Sequence, residues 1–101
     1  MISSTSKSNT SAIDEDRLPI VFQALSDAGR LNMVKILLGG DDACVSEIAK
    51  KLQLTSSAIS QRFRILEMSG IVKKVRKGQR ICYQIRKDDP IVNVLIKLIR
   101  H

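Results

Sequence analysis

The hydrophobic period of this chain changes twice, and the order of the changes leaves few folds open. Up to Gly70 apolar residues recur at steps of three and four; from Ile71 to Ile85 they fall into two short β-prone runs; from Ile91 helical spacing returns. The first helix runs to about Leu25 and follows Asp14, Glu15 and Asp16, carboxylates that suit the positive end of a helix, with Pro19 tolerated in its first turn. Asp27, Ala28 and Gly29 read as a break. Leu31, Val34, Leu37 and Leu38 then carry a second helix that Gly39 and Gly40 stop. A short segment around Ala43 and Cys44 leads to Val45, Ile48, Ala49 and Leu52, a short third helix. Leu54 and Thr55 make the next turn, and Thr55 or Ser56 caps a fourth helix carried by Ala58, Ile59, Phe63 and Leu66 and ending at Gly70.

Two such helices joined by three or four residues form a helix-turn-helix, whose second helix is the natural groove reader. After it come Ile71–Val75 and Ile81–Ile85, separated by Arg76-Lys77-Gly78-Gln79-Arg80: a hairpin with a cationic tip. Asp88 or Asp89 caps the last helix, Pro90 opens it, and Ile91, Val92, Val94, Leu95, Ile96, Leu98 and Ile99 make it apolar nearly all round. One stripe of that helix covers its own domain; a second, on so small a protein, seeks another subunit. The expected fold class is mostly α with a small β-hairpin, a winged helix-turn-helix in the order α-α-(β)-α-α-β-β-α. Residues 1–15, rich in Ser and Thr, read as a disordered tail, and 16–101 as a single DNA-binding and dimerisation domain.

Charge sharpens this picture. The chain carries 17 Lys and Arg against 10 Asp and Glu, and between Lys50 and Arg80 lie nine of the basic residues with Glu67 as the one acid. The whole excess sits on the helix-turn-helix and the hairpin, and a field of that sign attracts polyanions, nucleic acid above all. No apolar run approaches the roughly 18 residues of a membrane span, and no signal peptide precedes the domain, so a cytoplasmic location is expected. Two cysteines, Cys44 and Cys82, are too few for a secreted disulfide framework, and both are expected to stay available as thiols. The sole histidine is His101, and no acid/base or nucleophile cluster points to catalysis.

From Phe22 to Ile85 the sequence resembles the ArsR/SmtB family of winged-helix repressors. Ala24-Leu25-Ser26-Asp27-Ala28-Gly29-Arg30-Leu31 is similar to the family's opening ALxDxxRL, and Val45-Ser46-Glu47-Ile48-Ala49 to its VxELA. Ser56-Ser57-Ala58-Ile59-Ser60-Gln61-Arg62-Phe63 resembles the reading-helix phrase S-x-[ST]-[AV]-[VIL]-S-x-H-L. Met68-Ser69-Gly70-Ile71-Val72 is similar to xxGLV and Arg76–Tyr83 to the wing's RxGRxxxY. Arg62 departs from the pattern by standing where histidine is usual. The resemblance implies a homodimeric repressor of transcription that binds double-stranded DNA and has no membrane or small-molecule substrate as partner.

On that expectation the reading helix offers Ser56, Ser57, Ser60, Gln61, Arg62 and Arg64. Gln61 pairs with adenine through two hydrogen bonds, Arg62 with guanine, and the serines reach bases or phosphates or simply cap the helix. Lys73, Lys74, Arg76, Lys77, Gln79 and Arg80 lie along the backbone or enter the minor groove. Leu18, Val21, Phe22, Ile91, Val92, Leu95, Ile96, Leu98 and Ile99 are the expected dimer interface. A winged-helix module that binds protein and not DNA is the competing reading, against which the basic tip argues.

Family members commonly sense metals or thiol oxidants. An arsenical-type site requires a Cys-x-Cys pair, and Cys44-Val45-Ser46 supplies one thiol only. A zinc-type site draws on the last helix, where Asp88 and His101 stand thirteen residues apart, but Pro90 replaces a histidine and the ligand set is incomplete. No cofactor is therefore assigned. In a winged helix the strand before the third helix pairs with the second hairpin strand, which brings Cys44 toward Cys82. A redox switch or a two-thiolate metal clip stands beside the blander reading of two buried, inert small hydrophobes.

Overall fold

Capping chemistry sets most of the boundaries in the computed structural model, which describes residues 15–40 and 42–100. A 3₁₀ turn at Glu15–Arg17 leads into α1 (Leu18–Leu25). The Asp27 carboxylate accepts the Arg30 N–H at 2.9 Å and starts α2 (Ala28–Leu38), so Ala28 and Gly29 belong to that helix and the break between the helices is shorter than expected. Arg30 also closes the end of α1, its Nε donating to the Ala24 carbonyl at 2.7 Å and its guanidinium to that of Gln23 at 3.3 Å. One Asp-x-x-Arg unit thereby makes the corner between two helices. Strand β1 (Ala43–Cys44) runs into α3 (Val45–Leu52), and Gln53 adopts a left-handed conformation (φ 58°) at its end. Thr55, rather than Ser56, caps α4 (Ser56–Met68) by accepting the Ala58 N–H at 3.0 Å, a bond worth about 1 kcal/mol.

Beyond Gly70 (φ 84°) the strands β2 (Val72–Lys77) and β3 (Arg80–Ile85) pair antiparallel from Val72↔Ile85 to Lys77↔Arg80. The expected five-residue tip is thus a two-residue turn, Gly78-Gln79, with Arg76, Lys77 and Arg80 inside the strands. Gly78 has φ 64°, and a glycine there lets a tight turn follow the right-handed twist of its strands. The sheet order is β1-β3-β2, with Ala43 opposite Tyr83 and Cys44 opposite Cys82. Helix α5 (Pro90–Arg100) closes the chain, and Asp89 is its cap, accepting the Ile91 N–H at 2.9 Å.

The core lies between the sheet and the helices, around the fully buried Phe63, Met33, Leu37, Ile48, Ile59 and Leu66. Phe63 of α4 stacks on Tyr83 of β3 with centroids 4.2 Å apart. Val21, Ile91, Val92 and Leu95, expected at the dimer interface, belong to this core, at 0%, 3%, 1% and 7% exposure. An apolar stripe by itself does not say which side faces inward, and here the domain's own sheet and helices claim it. Leu18, Ile96 and Ile99 are half-buried against the same core. The exposed apolar residues of the two flanking helices are Ile20 and Phe22 on α1 and Val94 and Leu98 on α5. Among the described residues no helix is long and apolar enough to cross a membrane. The N-terminal tail lies almost wholly outside the described residues, as does His101.

One side chain ties three elements together. Arg17, just ahead of α1, donates to Asp89 at the start of α5 at 2.7 Å and to the Ser69 carbonyl at the end of α4 at 3.2 Å. Burial pushes the Asp89 carboxyl up, but the bonds from Arg17 and from the Ile91 N–H outweigh it and hold the group below its ordinary value. A carboxylate so depressed stabilises the fold fully above its unfolded value, near pH 4, and ceases to as pH falls through the folded value. Asp89→Asn should therefore flatten the fall in thermal stability between about pH 5 and pH 2. Identical melting curves for variant and wild type across that range would show that the strap carries no stability.

Candidate nucleic-acid interface

Helix α4 buries Ile59, Phe63 and Leu66 on one side, and helical geometry then turns Ser57, Ser60, Gln61 and Arg64 outward. All four are exposed, as is Ser56 in the first turn. This is a polar face uninterrupted over two turns, with hydroxyl, amide and guanidinium groups that read base edges and phosphates in other major-groove helices. Helix α3 packs across α4 as the first helix of the pair, and β2 packs beside it, so α4 and the wing adjoin.

Arg62 is placed differently from its neighbours. It is half-buried, and a Cβ built on Gly29 would lie 2.9 Å from its Cζ and 3.1 Å from its Nη1. The guanidinium thus lies over the start of α2, beside Asp27. The Arg30 N–H is the main cause that holds the Asp27 carboxyl below its ordinary value, and the charge of Arg62 adds to it. The arginine that replaces the usual histidine spans two helices, and Gly29 leaves room for it. Sequence spacing put Arg62 near the outward face; the missing Cβ at Gly29 was the signal that it would turn aside.

The wing's cations divide between the two faces of the hairpin. By register, Lys73 and Lys77 share a face with Gln84, Cys82 and Arg80, whereas Lys74 and Arg76 share the other with Tyr83 and Ile81. Lys77 pairs with Asp42, and Arg80 with Glu47 at 2.8 Å. The Glu47 carboxylate also accepts the Cys44 N–H at 3.3 Å, and the Arg80 hydrogen bond, followed by that of Cys44, holds it below its ordinary value. Asp42 and Glu47, which the sequence did not single out, therefore fasten the wing to β1 and α3. Lys73, Lys74 and Arg76 are exposed and make no ion pair among the described residues, and Gln79 is exposed at the turn.

Cys44 and Cys82 meet as the strand pairing requires, and a disulfide joins them. The expectation that both stay free thiols is not met, because the register sets the two side chains opposite each other on one face. Among the described residues no three His, Cys, Asp or Glu side chains gather, and His101, the partner of Asp88 in the zinc-type arrangement, lies outside them.

Comparison with known proteins agrees with this geometry. The sequence profile of the bacterial regulatory protein family arsR matches residues 27–74. The arsenic resistance transcriptional regulator ArsR1 of Pseudomonas putida is 33% identical over 71% of this chain and 56% of its own length, so the chain spans little more than half of that relative. The transcriptional repressor SdpR of Bacillus subtilis is 34% identical over 64% of this chain and 71% of its own length. Among solved structures, Mb0332 of Mycobacterium bovis, a homodimeric winged helix-turn-helix DNA-binding domain, superposes with a TM-score of 0.71 at 25% identity, covering 85% of this chain and 80% of that one.

Proposed function

Since the chain belongs to the arsR family of bacterial regulators, we propose that it is a sequence-specific DNA-binding repressor of transcription that acts in the cytoplasm as a homodimer and has no catalytic role. The observation that carries this reading is the outward face of α4, where Ser57, Ser60, Gln61 and Arg64 are exposed beside a wing whose Lys73, Lys74 and Arg76 are exposed too. Gln61 reads an adenine edge; Ser57, Ser60 and Arg64 contact bases or the backbone. Arg62 holds α4 against the start of α2 and acts on DNA through the helix it positions. Lys77 and Arg80 meet phosphate already paired with Asp42 and Glu47, which lowers the charge they offer to DNA. Two copies facing each other through the exposed apolar residues of α1 and α5 would set their reading helices about 34 Å apart, one turn of the duplex. Occlusion of a promoter then represses it.

Fluorescence anisotropy with the DNA upstream of its own gene and a scrambled duplex, taken across salt, tests the proposal. Selective binding with a steep negative slope in log salt is expected. Gln61→Ala should cost about 1–3 kcal/mol of discrimination at one base pair of each half-site, whereas Arg64→Ala should weaken all sequences alike and reduce the salt slope by about one. Equal affinity for both duplexes at every salt concentration would move the reading to a protein-binding winged helix.

A further inference from the structure

A groove of about 380 Å³ lies between α1, the start of α2 and the C-terminal part of α4. Ile20 and Ala24 of α1 form one wall, and Ile65 and Met68 of α4 the other. Arg17, just ahead of α1, reaches the Ser69 carbonyl, while Arg62, two turns back along α4, lies over the start of α2, so the two walls run antiparallel. Seven large apolar side chains are exposed among the described residues, and three of them, Ile20, Ile65 and Met68, line this one groove. Single exposed apolar residues are ordinary; several gathered about one hollow mark a surface for another molecule. Ile20 and Phe22 stand two positions apart on α1, about 200° around the helix. The groove therefore takes the flank opposite the one that carries Phe22 into the proposed dimer face.

The charge of the lining selects the occupant. Gln23 and Arg30 are its long polar side chains, and no acid is among the lining residues. The half-buried Arg30 guanidinium is held in place by the bonds from its Nε to the Ala24 carbonyl and from its Nη2 to that of Gln23. Both bonds use one edge of the guanidinium, and among the described residues nothing accepts from Nη1. No carboxylate forms an ion pair with Arg30 either; Asp27 feels its charge, but takes the Arg30 backbone N–H. A fixed cation at the rim of an apolar hollow is complementary to one negative charge on an apolar body, and a guanidinium suits a carboxylate in particular. Apolar walls with a few placed polar groups, at a volume of this order, are the form of a small-molecule site.

We propose that the groove binds a small amphipathic carboxylate, its apolar tail or ring between Ile20, Ile65 and Met68 and its anionic head on the Nη1 end of Arg30, with the Gln23 amide as a second donor. The proposal goes beyond the DNA reading and does not rest on it. Its link to that reading is spatial: Ile65, Met68 and Ser69, which line the groove, belong to the helix proposed to read DNA.

Octanoate is the probe, and phenylacetate a second with a ring in place of the tail. Each is titrated into the whole chain, labelled at its isoleucine and methionine methyl groups, and followed by NMR. Met68 lines the groove and Met33 is fully buried in the core, so one methionine reports on the site and the other on the domain. Saturable shifts at Met68, Ile20 and Ile65 are expected, with Kd of about 0.1–10 mM for ligands this small, while Met33 stays in place. Octanol and octylammonium should bind about tenfold more weakly or not at all, and Arg30→Gln should weaken octanoate by a similar factor.

Arg30 also closes the corner between α1 and α2, so a second pair of variants leaves that corner alone. Met68 is 78% exposed; Met68→Glu should weaken octanoate about tenfold and Met68→Lys should bind it at least as tightly as the wild type, both with unchanged melting midpoints. No saturation with either probe, octanol bound as tightly as octanoate, equal affinity in the two Met68 variants, or shifts at Ile99 of α5 as large as those at Ile65 would each overturn the proposal. None of these readouts involves DNA, so failure here leaves the repressor reading standing, and failure of that reading leaves the groove as it is.

Discussion

Phe22→Glu combined with Leu98→Glu is expected to leave a folded monomer whose affinity for a duplex carrying two half-sites is about 10²–10⁴ lower. Phe22 and Leu98 are 55% and 69% exposed, so carboxylates there should disturb the domain's own packing by only about 0.5 kcal/mol. Across a two-fold axis each substitution meets its own copy or the other's, and like charges brought together in an apolar contact oppose association. The large loss comes from connectivity. In a dimer, the second reading helix binds at the high local concentration set by the first, and a monomer loses that second contact altogether. Affinity for a duplex with a single half-site should stay as it was. Sedimentation equilibrium and anisotropy on the two duplexes give the result. A double variant that remains dimeric would place the interface elsewhere, and a monomer that binds the long duplex as the wild type does would remove dimerisation from the mechanism.

The second large effect concerns stability. Phe63→Ala should cost about 3–5 kcal/mol, against total stabilities of about 5–15 kcal/mol for domains of this kind. Phe63 is fully buried and its ring stacks on Tyr83, so its loss opens a cavity where the reading helix meets the central strand. Each kcal/mol lowers the midpoint of a domain this size by about 4–8 °C, and the expected fall is therefore at least about 12 °C. Phe63→Leu, which keeps most of the volume, should lose far less. Tyr83 is the only tyrosine and there is no tryptophan, so the near-ultraviolet tyrosine signal reports directly on this junction. An unchanged midpoint in Phe63→Ala would mean that the stack carries no stability.

Much of this was legible in the residues themselves. The change of period at Gly70 and the apolar spacing of Ile59, Phe63 and Leu66 located the reading helix, and winged-helix strand pairing anticipated Cys44 opposite Cys82. Local chemistry was misread where neighbours in space decided the outcome. Ala28 and Gly29 looked like a break until the Asp27 cap drew them into α2. The turn of the Arg62 guanidinium toward α2 was not legible, because spacing shows the angle at which a side chain leaves its helix but not the opening over Gly29 into which it turns. The same limit applies to α5. Its apolar residues outnumber what one face can hold, and only the packed sheet and helices show that Ile91, Val92 and Leu95 face inward while Val94 and Leu98 are left outside. Asp42 and Glu47 gave no warning, since their partners Lys77 and Arg80 lie more than thirty residues away along the chain.

The Arg17 guanidinium has a wider consequence than the stability of one acid. It touches the end of α4 and the start of α5 from a position just ahead of α1, so the two helices that carry the proposed dimer face and the helix proposed to read DNA meet at one guanidinium. A tilt at the proposed two-fold axis would be passed through that contact toward the groove. Such a dimer behaves as a ruler: it measures the phase between half-sites as well as their letters, and one inserted base pair, a rotation of about 35° in the duplex, turns a matched site into an unmatched one with every base contact still on offer.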